Sequence, residues 1–127
     1  MRVVAAVITK DDQILICRRG PHKSLSGFWE FPGGKVEARE TDGQALVREI
    51  REELQVEIQV QELICTSRTS SGNVQIEMHT YSAELLSATP STSSDHDELR
   101  WVNRSQLLEF KWPPLDIPVV HALTKFA

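Results

Sequence analysis

Hydrophobic and polar positions change their spacing repeatedly along the chain, and each change marks an element. Val3 to Ile8 is a continuous apolar, β-branched run closed by the polar stretch KDDQ, and Ile14 to Cys17 is a second short run. The pair predicts a strand, a turn and a strand that form the centre of a sheet. Arg18 to Ser26 is polar and carries Gly20 and Pro21, so it predicts a loop long enough to fold over a site. FWEFP then leads into Gly33-Gly34. From Thr41 to Leu54 the apolar positions recur at helical spacing. Thr41 is placed to cap this helix, Gln44 to complete a capping box, and Asp42 to meet the positive helix end. Val56 to Thr66 and Val74 to Leu85 have strand character; in the second, Val74, Ile76 and Met78 alternate with Gln75, Glu77 and His79. Ser71-Gly72-Asn73 is the expected hairpin turn between them. Ser87 to Ser94 predicts a flexible connection, Leu99 to Val102 a strand, and Ser105 to Leu108 a turn of helix. The prolines of WPPLDIP exclude regular structure, and Val119, Ala122, Leu123 and Phe126 predict a last helix over Val119 to Phe126.

Composition narrows the class without naming a function. A chain of 127 residues suits one domain, residues 1–127, and 40% hydrophobic with 25% charged residues describes an ordinary globule rather than a disordered or fibrous chain. Fourteen basic and 18 acidic side chains give a net charge of -4, which argues against stable nucleic-acid binding. A small anionic ligand then calls for an intervening cation. Cys17 and Cys65 each end an apolar run, ILIC and ELIC, and read as buried thiols rather than a disulfide or metal site. The start MRVVAAVIT enters a strand directly, without the pattern of a secretory signal, and no apolar stretch reaches membrane-spanning length, so a cytoplasmic protein is expected.

The helix carries the candidate chemistry. At about 100° per residue, Leu46, Val47, Ile50 and Leu54 share one arc, which must face the sheet. Glu49, Glu52 and Glu53 occupy the adjoining arc at i, i+3 and i+4, while Gln44, Arg51 and Gln55 point to solvent. One reading is a solvated face laced with salt bridges, Arg48 with Glu52 among them. The other is a metal site: no basic residue interrupts the glutamate triangle, so its repulsion is locally uncompensated, and a hard cation such as Mg²⁺ converts that repulsion into coordination. Gly33-Gly34 adds a tight turn whose backbone reaches conformations closed to other residues and whose missing side chains leave room for a ligand.

Gly34, Glu40 and the run Arg48-Glu49-Ile50-Arg51-Glu52-Glu53-Leu54-Gln55-Val56 resemble the Nudix box, G-x5-E-x7-R-E-U-x-E-E-x-G-U with U aliphatic. The sequence departs from it at Gln55, where the family carries a glycine suited to a left-handed helix cap, so local strain is expected there. The resemblance extends to most of the chain and is nearest the MutT-like branch, through LSGFWEFPGGKVE, Arg18-Arg19 and PPLDIP. It implies an α/β fold, an α/β/α sandwich with a mixed β-sheet between helices. It also implies hydrolysis of a nucleoside triphosphate, of CTP/dCTP type or oxidised such as 8-oxo-dGTP, to the monophosphate and pyrophosphate.

The same resemblance implies site residues. Glu49, Glu52 and Glu53 match Mg²⁺ ligands, with Mn²⁺ as a substitute, the Gly34 carbonyl joins them, and Glu52 or Glu53 orients or deprotonates the attacking water. A further ligand comes from Asp95, His96, Asp97 or Glu98, with Glu98 preferred; otherwise that stretch is a charged loop. Glu40 and Arg48 form an ion pair between loop and helix. Arg19, Phe31 and Asp116 contact substrate. Phe28, Trp29, Phe31 and Trp112 either stack on a base or belong to the core. Asp116 either reads a base edge or caps the last helix. If it reads the base, an ionised carboxylate suits an amino donor such as that of cytosine, and a protonated one keeps oxidised purines open. The implied partner is a small-molecule nucleotide, with no membrane, and the protein is a monomer or homodimer. Two alternatives stand: a catalytically silent Nudix-fold binding module, or a Nudix enzyme acting on ADP-ribose, a dinucleoside polyphosphate or an RNA 5′ end.

Overall fold

Seven strands and two helices make up the computed structural model of the protein, which describes residues 1–125. β1 (Arg2–Lys10) and β2 (Gln13–Arg19) form a hairpin whose turn residues Asp11 and Asp12 both have positive φ, as a two-residue turn between twisted strands requires. β3 (Trp29–Glu30) and β4 (Gly33–Lys35) are short, α1 runs over Asp42–Leu54, and β5 (Ile58–Ser71) and β6 (Val74–Leu85) make the long hairpin. Gly72-Asn73 turns it, with Gly72 at φ +62°, while Ser71 of the expected turn is the last residue of β5 and pairs with Val74. β7 (His96–Val102), a 3₁₀ turn over Arg104–Glu109 and α2 (Ile117–Thr124) complete the chain.

The sheet order is β3-β2-β1-β6-β5, with β4 alongside β1 and β7 alongside β2. β1 runs parallel to β6 and every other pairing is antiparallel, so the sheet is mixed. Alternation along β1 divides the core. Val4, Ala6 and Ile8, with Leu15 and Cys17, meet Leu46, Ile50 and Leu54 of α1. Ala5 and Val7, with Ile14 and Ile16, meet Leu107, Trp112, Val119 and Leu123 on the other side. A strand buried on both faces reads as an unbroken apolar run, which is what Val3 to Ile8 is. The result is the expected α/β/α sandwich. Among the described residues no helix is long and apolar enough to cross a membrane.

α1 is fixed at both ends. Thr41 Oγ1 accepts from the Gln44 backbone N–H at 3.1 Å and the Gln44 side chain accepts from Thr41 N–H at 2.9 Å, the capping box read in the sequence. Asp42 is buried against β6, where it accepts from Tyr81 at 2.5 Å and pairs with His79 at 2.8 Å. At the other end Gln55 takes the left-handed cap, φ 57° and ψ 36°, and donates its N–H to the Arg51 carbonyl at 3.0 Å. Gln55→Gly should therefore stabilise the fold by about 1 kcal/mol, visible as a rise of roughly 2–4 °C in Tm; an unchanged or lower Tm would show the cap to be unstrained.

Three expectations need correction. The glycine pair is not a turn: Gly34 and Gly33 lie in β4 opposite Val4 and Ala5 of β1, and neither has positive φ. What they supply is close approach, because a Cβ on Gly33 would sit 1.9 Å from the Val4 carbonyl oxygen. β5 extends to Ser71, beyond the expected end at Thr66. α2 begins at Ile117, two residues early, since Pro118 falls in the first turn, where its missing N–H leaves no helical bond unmade. Val119 and Leu123 are buried as expected, and Phe126 lies outside the described residues.

Candidate active site

Arg48 organises one side of the site. Its Nε and Nη2 grip both oxygens of Glu40, at 2.7 and 2.9 Å, and Nη2 also donates to the Lys35 carbonyl at 2.9 Å. The expected Glu40–Arg48 pair thus ties the loop before the helix to the helix itself, and its bond to the guanidinium holds the Glu40 carboxyl down at about 2. Arg48 Nη1 also lies 2.9 Å from Glu49 Oε1 and 3.4 Å from Glu52 Oε2. The glutamate triangle is therefore not left wholly uncompensated, as its sequence suggested: a long side chain curls onto two of its three members.

Glu53 is the exception. It is 9% exposed, and its Oε2 has no hydrogen-bond partner among the described residues. Burial, reinforced by the charges of Asp95, Glu49 and Glu30, pushes its carboxyl up to about 9. Glu52, by contrast, has a side chain 60% exposed and stands outside the lining of the cleft that Glu49 and Glu53 border.

That cleft has a volume of about 810 Å³. Its charged lining includes Arg19, Lys23, Glu30, Glu49, Glu53 and Asp95; its apolar lining includes Phe31, Ile76, Met78 and Leu115, with Asp116 set among them. A second, more open groove of about 1000 Å³ runs between Lys10–Asp12 and Asn103–Ser105 and contains none of the motif carboxylates.

Asp116 stands just before α2 but makes no side-chain cap; its Oδ2 accepts the Phe31 backbone N–H at 3.2 Å, so the capping alternative is set aside. Burial, with a contribution from Glu30, raises this carboxyl to about 7 against the opposing Phe31 N–H. Phe31 stacks on Trp112 with centroids 5.0 Å apart and planes 16° apart. Trp112 is locked by its Nε1–H to the Leu107 carbonyl at 2.7 Å, and Trp29 packs edge-on against Phe110, so both serve the core. Arg19 borders the cleft with Nη1 on Glu30 Oε1 at 2.6 Å and Nε on the Ser24 carbonyl at 2.6 Å. Cys17 is buried and Cys65 partly buried; burial raises both thiols, and neither enters the site's chemistry.

The loop residue in the cleft is Asp95 rather than Glu98. Glu98 lies within β7, where its oxygens pair with Arg18 at 3.3 Å and Arg100 at 2.6 Å. The sequence placed the start of this strand at Leu99, three residues late, and so left Glu98 in the loop. Asp95, the residue before the true start, is anchored by its neighbour: Ser94 N–H donates to the Glu53 carbonyl at 3.1 Å.

Among the described residues no three carboxylate, imidazole or thiol groups converge as a ready-made metal cage. Mg²⁺ does not need one, because it keeps waters and takes one or two carboxylates together with phosphate oxygens. The orphaned Glu53 Oε2 fits that role, and so does the space above Gly34, where a Cβ would lie 2.3 Å from the Glu49 carboxylate. Gly34→Ala should displace only that flexible carboxylate. The chain is expected to fold normally while its affinity for added Mg²⁺, read by titration calorimetry, falls by about tenfold. Unchanged Mg²⁺ affinity in a folded Gly34→Ala protein would remove Glu49 from the site.

Comparison with known proteins follows the same lines. The chain matches the NUDIX domain over residues 1–123. It is 38% identical over 123 residues to the CTP pyrophosphohydrolase of Escherichia coli strain K12, covering 96% of this chain and 90% of that protein. It is 37% identical over 117 residues to putative 8-oxo-dGTP diphosphatase 2 of Mycobacterium tuberculosis, covering 90% of this chain and 81% of that one. The solution structure of the E. coli ORF135 protein superposes with a TM-score of 0.85 at 35% identity, covering 98% of this chain and 88% of the other.

Proposed function

The chain belongs to the NUDIX family of hydrolases, and from that premise we propose that it is a Mg²⁺-dependent pyrophosphohydrolase acting on free nucleoside triphosphates in the cytoplasm. It releases the nucleoside monophosphate and pyrophosphate, and takes a cytidine-type or oxidised base. One observation carries this reading: a single cleft joins a buried, unpartnered carboxylate, Glu53, to an apolar slot containing one polar reader, Asp116.

Glu49 and Glu53 would hold the metal from the cleft side, with Glu52 and the Gly34 carbonyl as the further ligands. Bound Mg²⁺ neutralises phosphate charge and lowers the pKa of the attacking water. Glu53 is the base that receives the water's proton, since it offers an unpartnered, buried carboxylate oxygen to the cleft. Arg19 makes three bonds to Glu30 and Ser24 out of five N–H donors, leaving two for phosphate oxygens. Asp116 keeps Oδ1 free of protein donors among the described residues, and that oxygen meets the base edge.

The test is pyrophosphate and monophosphate release over a panel of unmodified, methylated and oxidised nucleoside triphosphates, together with ADP-ribose and dinucleoside polyphosphates. The expected result is equimolar pyrophosphate and monophosphate, abolished by a chelator and restored by Mg²⁺. No hydrolysis anywhere in the panel with Mg²⁺ or Mn²⁺ would overturn the reading in favour of a silent binding module.

A further inference from the structure

His96 lies beside the cleft, and the chemistry above leaves it without a task. Its side chain is only 2% exposed, yet both ring nitrogens are engaged: Nδ1 lies 2.7 Å from Ser93 Oγ and Nε2 2.8 Å from Glu30 Oε2. A carboxylate only accepts, so Nε2 carries a proton directed at Glu30, and in the neutral ring Nδ1 accepts from the Ser93 hydroxyl. Ser93 Oγ in turn accepts the Asp95 backbone N–H at 3.3 Å. On the far side of Glu30, Oε1 takes Arg19 Nη1 at 2.6 Å, and Arg19 Nε donates to the Ser24 carbonyl at 2.6 Å.

The connected series Ser93, His96, Glu30, Arg19, Ser24 thus joins three stretches distant in sequence: the segment before β7, strand β3, and the loop over residues 20–28. That loop has no strand or helix to hold it, and Leu25 sits in the left-handed region at φ 54°, a conformation that persists only where surroundings impose it. Arg19 grips Ser24 while the residues on either side, Lys23 and Leu25, both line the cleft. Lys23 also reaches Asp95 Oδ1 at 3.4 Å, closing the circuit between the loop and the segment that His96 holds.

We propose that His96 is a positioning residue for substrate binding: by engaging Ser93 and Glu30 together it sets Asp95 on one side and, through Glu30 and Arg19, the 20–28 loop on the other. It touches no substrate itself. Its contribution is to present the Arg19 and Lys23 cations in place before the triphosphate arrives, so its loss appears in KM rather than in kcat. The inference rests on the cleft being the nucleotide site.

His96→Leu keeps bulk without polarity, whereas His96→Gln keeps an N–H for Glu30. Two readouts separate positioning from simple packing: amide hydrogen exchange of residues 20–28 in nucleotide-free protein, and steady-state hydrolysis of CTP with Mg²⁺. For His96→Leu, loop exchange and KM should each rise about tenfold while kcat stays within about threefold. His96→Gln should recover most of both. Wild-type loop exchange and KM in the leucine variant would overturn the proposal, as would a glutamine variant no better than leucine. Should His96→Leu fail to fold, Ser93→Ala removes the hydroxyl's bonds to His96 and to the Asp95 N–H at a partly exposed position and should move both readouts in the same direction; no movement overturns the proposal. If the wild-type protein hydrolyses no triphosphate, the proposed function fails, and loop exchange still decides whether His96 holds the loop.

Discussion

Glu53→Gln is expected to abolish pyrophosphate release and, in the same protein, to raise the melting temperature measured without metal. The first effect follows from its proposed place as ligand and base, where loss of the proton acceptor lowers kcat by about 10²–10⁴-fold. The second follows from burial. The Glu53 carboxyl is raised from 4.5 to about 9 by desolvation and by neighbouring Asp95, Glu49 and Glu30. An acid whose folded pKa lies above its unfolded value contributes fully below the unfolded value, and that contribution is lost as pH rises toward the folded one. At pH 7 to 8 the wild-type metal-free protein therefore carries a penalty of a few kcal/mol that the neutral amide lacks. A Tm increase of roughly 5–10 °C is expected, shrinking to nothing near pH 4. Glu52→Gln supplies the contrast: its carboxylate is largely exposed, so turnover should fall with Tm unchanged. Wild-type turnover in Glu53→Gln would remove this residue from the chemistry, and a lower Tm would mean that a cation already pairs with it in the metal-free fold.

The sequence disclosed what depends on local spacing and concealed what depends on where a distant strand begins. The helix, its capping box and the arc of Glu49, Glu52 and Glu53 are local, and all were legible. The left-handed cap at Gln55 was legible too, because one residue type was missing where backbone geometry demanded it. The pairing of Arg48 with Glu40 was legible and that with Glu52 stood as one reading, but its reach to Glu49 was missed, because a helical projection assigns a long side chain to one direction. Gly33-Gly34 suggested a turn because turn and close approach both require a missing Cβ, and only the pairing with β1 distinguishes them. Preference for Glu98 over Asp95 turned on the first residue of β7, which is set by pairing with β2, nearly eighty residues earlier in the chain. His96 stood out only as one of four candidate ligands, and its link to Ser93 and Glu30 gave no signal, since these are ordinary residues until the fold brings them together.

Base preference should change with pH, and Asp116 should be the reason. Its carboxyl, held up near 7 by burial, is protonated on the acid side and able to donate from the oxygen that Phe31 leaves free; above that it is ionised and only accepts. An accepting carboxylate favours a base that presents an amino group, such as cytosine, and a donating one favours a base that presents a carbonyl, such as 8-oxoguanine. Between pH 6 and pH 8.5 the ratio of kcat/KM for CTP to that for 8-oxo-dGTP should rise by about tenfold, the scale of one well-placed hydrogen bond to a base edge. The ratio is the decisive quantity, because metal affinity and water ionisation act on both substrates and cancel. Asp116→Asn offers donor and acceptor at every pH, so its ratio should be flat over the same range. It should also remove a stability loss: the folded carboxyl titrates above its ordinary 3.8, so the wild-type protein loses stability as pH climbs from about 4 to about 7 and the asparagine variant does not. A wild-type ratio that stays constant with pH would detach Asp116 from the base. The same slope in the asparagine variant would place the titrating group elsewhere in the cleft, and Glu30 is not that group, because, against burial, its bonds to His96 and Arg19 hold its carboxyl below the ordinary value.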